Sequence, residues 1–155
     1  MVKIRKGMFE TNSSSTHTII VTEQKTEPGA IVDFRMGEFG WECGKLDTVD
    51  DKASYLYTMA CEVYGRDVYQ DLYEILSKYG VQCSCSLPYH VGEYGWCDNG
   101  YVDHATCGKK FVEDMLRHDK ALIKYLFSDD SFVVTGNDNM DLCDNKYYDA
   151  VENAK

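Results

Sequence analysis

Between Thr48 and Tyr64 the apolar residues Ala53, Leu56, Tyr57, Ala60, Val63 and Tyr64 recur at the spacing of one helical face. The segment opens on Thr48 with Asp51 three residues on, a capping box with Asp standing for Glu, and it stops at Gly65. A helix so well bounded must bury its face against other elements. A second helix supplies one: Val68, Tyr69, Leu72, Ile75, Leu76 and Tyr79 share a face, and Gly80 closes it. Shorter helices are expected through Phe111, Val112, Met115 and Leu116 and through Ala121, Leu122, Tyr125 and Leu126, the latter capped by Asp119.

The remaining periodicity is that of strands. Val2 to Arg5 alternates apolar and basic, Thr18 to Val21 is β-branched, and Ala30 to Phe34 follows the turn Glu27-Pro28-Gly29. Val81, Cys83 and Cys85 alternate before Pro88. Ser131 to Thr135 reads as a late strand closed by a turn at Gly136-Asn137-Asp138-Asn139. Helices and strands come in mixed order without a βαβ repeat, so the expected class is α+β. The chain 1–155 should form a single domain, a mixed or antiparallel sheet packed against two or more helices, with a tail from about 146 that frays.

The twelve tyrosines are expected at half-buried positions, ring inward and hydroxyl wet. A formal charge of −10 repels phosphate backbones and disfavours direct non-specific binding to nucleic acid, while it suits a partner protein with a basic surface. No apolar run reaches membrane-spanning length and no signal-peptide core opens the chain, so a cytoplasmic location is expected. Seven cysteines, an odd count without a secretory context, are read as reduced thiols.

Phe9-Glu10-Thr11-Asn12-Ser13-Ser14-Ser15-Thr16-His17 is the densest polar stretch and reads as a loop between strands. Its hydroxyls and N–H groups suit an anion, and Glu10 and His17 suit proton or metal chemistry. Asp103 and His104 are expected to converge with them as catalytic acid–base groups or metal ligands. Asn12, Ser13, Ser14 and Ser15, with Lys52, Asn137 and Asp138, are the expected ligand-binding residues. A divalent metal is a candidate cofactor. Structural zinc is disfavoured, because Cys83-x-Cys85 is a poor opening for a site that would draw on His90, Cys97, His104 and Cys107. Walker A, Rossmann and nucleophile-elbow patterns are missing from the sequence.

An internal echo joins Phe34-Arg35-Met36-Gly37-Glu38-Phe39-Gly40-Trp41 to Tyr89-His90-Val91-Gly92-Glu93-Tyr94-Gly95-Trp96. Each copy is expected to be a turn anchored by its aromatics, with Trp packed beneath a tight loop.

The polar block 9–17, Gly37-Glu38-Phe39-Gly40-Trp41, Lys52-Ala53-Ser54-Tyr55-Leu56-Tyr57, Gly100-Tyr101-Val102-Asp103-His104 and Thr135-Gly136-Asn137-Asp138-Asn139 together resemble a family of small uncharacterised proteins from phages, prophages and their bacterial hosts. The blocks span nearly the whole chain, and the first is the most specific. Where the family often has Gln-Ser after Asp-His, this chain has Ala105-Thr106. The resemblance implies a setting, the host cytoplasm for a phage-encoded chain, and no particular reaction. Two functions fit. One is a polar site for a small phosphate-containing or nucleotide ligand, catalytic by acid–base or metal-assisted chemistry. The other is a non-catalytic acidic inhibitor that binds a host defence or nucleic-acid-processing protein.

Overall fold

The computed structural model describes residues 15–20, 30–40, 44–103 and 105–137, with the side chains of 15–18, 20, 106, 107 and 137 left aside. The first helix forms as Val49–Tyr64 (α1), and its cap is reciprocal. The Thr48 hydroxyl accepts from the Asp51 N–H at 3.2 Å and donates to the Asp51 carboxylate at 2.6 Å. Gly65 ends the helix at φ 62°, a left-handed conformation that suits glycine, and its N–H donates to Glu62 O.

One property of α1 departs from its amphipathic pattern. Every residue from Lys52 to Cys61 is buried, so the side facing away from Ala53, Leu56, Tyr57 and Ala60 is covered as well. The covering elements are Ile31–Arg35 (β2), Tyr101–Val102 (β6), the 3₁₀ turn Ala105–Gly108, Lys109–Arg117 (α3) and Asp119–Phe127 (α4). Tyr64, expected on the buried face, stands 40% exposed at the helix end.

Tyr69–Ser77 (α2) buries Leu72, Ile75 and Leu76 but stops before Tyr79, which is exposed. Gly80 follows at φ 73°. At α4 the expected cap is corrected. His118 precedes the helix without a side-chain cap, and Asp119 is its first residue, its carboxylate bonded to Lys78 Nζ at 3.2 Å.

Among the described residues the strands form three small sheets. Ser15–Ile20 (β1) and Gly44–Leu46 (β4) flank Phe132–Asn137 (β7), both antiparallel to it. β2 pairs in parallel with Gln82–Leu87 (β5), and Glu38–Phe39 (β3) pairs in parallel with β6. With four α-helices among them, the class is α+β as expected. Two boundaries differ: β1 already includes Ser15 and Thr16, and β7 continues through Gly136 and Asn137, expected as a turn. The apolar positions Ile19 and Ile20 pair with Val133 and Phe132 and set the register, and the polar residues are carried into the ladder behind them. The strand expected over 2–5 and the tail from 146 lie outside the described residues.

Tyrosine use is also corrected. Tyr55, Tyr57 and Tyr125 are fully buried, because inside the core their rings find partners and the hydroxyls of Tyr57 and Tyr125 find acceptors. Phe39 meets Tyr55 edge-on at 5.4 Å and Phe111 meets Tyr125 at 5.2 Å. Tyr125 Oη donates to Lys52 O at 2.9 Å and Tyr57 Oη to Asp67 at 2.9 Å.

Gly100 is the tightest backbone crossing between β3 and β6. A Cβ there would lie 2.7 Å from Gly37 N and 2.8 Å from Gly37 O. At Gly95, φ 79°, a Cβ would meet nothing within 4 Å. Gly100→Ala should therefore cost about 1–3 kcal/mol by overpacking, against about 1–2 kcal/mol for left-handed strain at Gly95→Ala. Urea unfolding of both variants checks the order; a milder effect at Gly100 would contradict the packing.

Candidate functional site

Of the expected site residues, Glu10, Asn12, Ser13, Ser14, His104 and Asp138 lie outside the described residues. Ser15, His17 and Asn137 are placed by their backbone. Across β1 and β7, Ser15 pairs with Asn137, Thr16 with Gly136 and His17 with Thr135. Two polar blocks from opposite ends of the chain thus become strand neighbours. On the other side of β7, Gly44 pairs with Thr135, which is buried.

Lys52 is drawn to a different task. It is 1% exposed, and its ammonium donates to Ser128 O and Ser131 O, both at 3.0 Å. Burial pulls its pKa down to about 8 against the raising pull of Asp129 and Asp47. The ammonium ties α1 to the turn between α4 and β7. It is spent on backbone carbonyls and is not presented to an anion at the surface.

Asp103 stands beside a carboxylate that sequence reasoning missed. Its N–H donates to Phe39 O at 2.8 Å, and the preceding Val102 N–H donates to Glu62 Oε2 at 2.6 Å. Burial raises the pKa of Glu62, the Val102 N–H opposes this, and the charge of Asp103 adds to the rise. The sequence signal was a lone acid inside the apolar end of α1, Ala60-Cys61-Glu62-Val63. Among the described residues no group of three or more His, Cys, Asp or Glu is arranged to hold a metal ion.

Cys61, Cys83, Cys85 and Cys97 are free. Burial pushes the Cys61 thiol up to about 12 and raises Cys83 and Cys85, so these three are held protonated and unreactive. Cys97 Sγ donates to Gly100 O at 3.2 Å.

The two copies of the echo have opposite fates. In the first, Phe34 is fully buried and Phe39 packs on Tyr55. In the second, only the root is anchored: the Tyr89 N–H donates to Tyr57 Oη at 2.9 Å. Beyond it, Val91 bridges Cys97, the Gly92 N–H donates to Trp96 O at 2.8 Å, and the Gly95 N–H donates to Gly92 O at 3.0 Å. His90 Nδ1 meets Asp98 Oδ1 at 2.7 Å, and the Asn99 amide donates to Pro88 O at 2.7 Å. The turn so braced holds Tyr94 88% and Trp96 78% exposed. The expectation of Trp packed beneath the loop is overturned for this copy. The loop closes on its own backbone bonds, which leaves the rings outside.

Comparison of the chain with family models, with curated proteins and with solved structures returned no match.

The Lys52 geometry predicts a pH profile. The folded chain releases the Lys52 proton near about 8, whereas the unfolded chain holds it to 10.5. Between these values the unfolded state binds more protons, so this group makes stability rise with pH. Above 10.0 the buried Tyr55 and Tyr125, whose ionisation burial holds off, turn the trend over. Lys52→Met should flatten the rise and take the ammonium donor from Ser131 O and Ser128 O, the latter keeping the Ser131 N–H, at a cost of about 1–3 kcal/mol. Denaturant unfolding from neutral pH to pH 10 tests both; parallel profiles for the two proteins would contradict the assignment.

Proposed function

We propose that this chain is a non-catalytic acidic protein of phage type, which acts in the cytoplasm by occupying the basic surface of a host defence or nucleic-acid-processing protein. The observation that carries this reading is the braced turn with Tyr94 and Trp96 in water. Exposed Trp and Tyr on a rigid support are the residues that anchor protein interfaces. The chain's charge of −10 supplies the sign of the partner. No described helix is long and apolar enough to cross a membrane.

One observation favours a second reading, a site for a small phosphate-containing or nucleotide ligand with acid–base or metal-assisted chemistry. It is the register that sets Ser15, Thr16 and His17 beside Asn137, Gly136 and Thr135. This reading loses Lys52, the one cation it had enlisted, to the carbonyls of Ser128 and Ser131.

The test begins with affinity capture and ends with the purified pair. A partner with a basic surface is expected, bound with an affinity that falls as salt is raised. Combining Tyr94→Ala with Trp96→Ala should weaken it roughly tenfold or more. An acidic partner, or an affinity indifferent to both salt and the double variant, would remove the reading. A nucleotide retained in native mass spectrometry and lost in Asn137→Ala would move the weight to the second.

A further inference from the structure

The aromatic turn stands in a segment of unusual charge. From Tyr79 to Gly108 the sequence contains no lysine or arginine, and its acids are Glu93, Asp98 and Asp103. Glu93 is exposed within the turn between Gly92 and Tyr94, and Asp98 closes the base through His90. Tyr94 and Trp96, both exposed, are thus close sequence neighbours of Glu93 and Asp98, in a segment whose sole basic side chains are the imidazoles of His90 and His104. A Cβ at Gly92 would lie 2.7 Å from Asp98 Oδ2, so the carboxylate fits the turn only because residue 92 has no side chain.

We propose that Tyr94, Trp96 and Glu93 form an arginine-selective docking site for a basic segment of the partner protein. The inference rests on the protein-binding reading above and names the chemistry of what is bound. Indole and phenol rings attract a cation over their faces. A guanidinium is planar and weakly hydrated, so it stacks on a ring while its edge donates to a carboxylate; a lysine ammonium offers a point charge and holds its water. The bracing adds to this. The Gly92–Trp96 and Gly95–Gly92 backbone bonds, the Val91–Cys97 bridge and the His90–Asp98 pair order the turn before any partner arrives, so little entropy remains to be lost on binding. Nucleic acid is disfavoured at the same rings by the surrounding carboxylates, as is an anionic lipid surface.

The test uses the full chain and fluorescently labelled oligo-arginine and oligo-lysine peptides of equal length, titrated by anisotropy at low salt. Wild type should bind oligo-arginine about two- to fivefold more tightly than oligo-lysine, the range expected of an exposed cation–ring contact. Trp96→Leu keeps apolar area but removes the ring, and should abolish the preference. Glu93→Gln should weaken both peptides. Equal affinity of wild type for the two peptides, or a preference that survives Trp96→Leu, overturns this inference and leaves the protein-binding reading in place. Failure of wild type to bind either peptide also overturns this inference, and the captured partner alone then decides the protein-binding reading. Self-association by sedimentation that is lost in Trp96→Leu, or binding to zwitterionic vesicles in preference to the peptides, would assign the turn to another occupant and also overturn it.

Discussion

Polar side chains of α1 hold the backbones of the elements around it. Asp50 Oδ1 accepts from the Asp33 N–H of β2 at 3.0 Å, and Thr58 Oγ1 accepts from the Gly37 N–H at 3.1 Å. Glu62 takes the Val102 N–H of β6, and Lys52 holds the two carbonyls after α4. Sheets of two or three short strands do not stand alone in water. Here the two two-stranded sheets are completed by a helix whose side chains end unpaired backbone groups of β2 and β6, while its apolar residues pack against them. The cost of burying a charged Lys52 and a half-buried Glu62 is offset because each has a backbone partner.

This arrangement changes what polar residues in the chain signify. Lysine in the first turn of a helix invites an anion-binding interpretation, and a carboxylate beside Asp103 invites an acid–base one. Both side chains are already committed to main-chain groups of this fold. The aromatic turn at 89–98 differs in kind: the rings of Tyr94 and Trp96 stand exposed, and the turn is braced by backbone bonds that do not involve them. The distinction between groups that complete the backbone and groups left over by it separates scaffold from surface in this molecule.

Much of the fold could be read from residues. Thr48, Asp51 and Gly65 mark α1 to within a residue, and the alternation through Cys83 and Cys85 marks β5. The polar ends of β1 and β7 could not be read, because Ser, Thr, Gly and Asn speak for turns locally and were drawn into strands by apolar pairs further along the same ladder. The burial of Lys52 was equally hidden, since its partners are carbonyls 76 and 79 residues away that leave no trace in side-chain type. At the candidate site, the backbone neighbours of Ser15, His17 and Asn137 emerge only from strand register. The two copies of the echo match in residue type; what parts them is that Phe39 lies over α1 while its counterpart Tyr94 stands exposed.

The reach of Lys52 has a bearing on how the chain is made. On a ribosome α1 emerges early, and its local hydrogen bonds and cap can form at once. Its ammonium then waits for Ser128 and Ser131, and β1 waits for a partner strand that ends at Asn137. During that interval the ammonium has only water to satisfy it and β1 lacks β7, a state open to chaperones and to aggregation. The segment 128–137 thus closes two gaps together: the residues that discharge the lysine adjoin the strand that zips β1 into place.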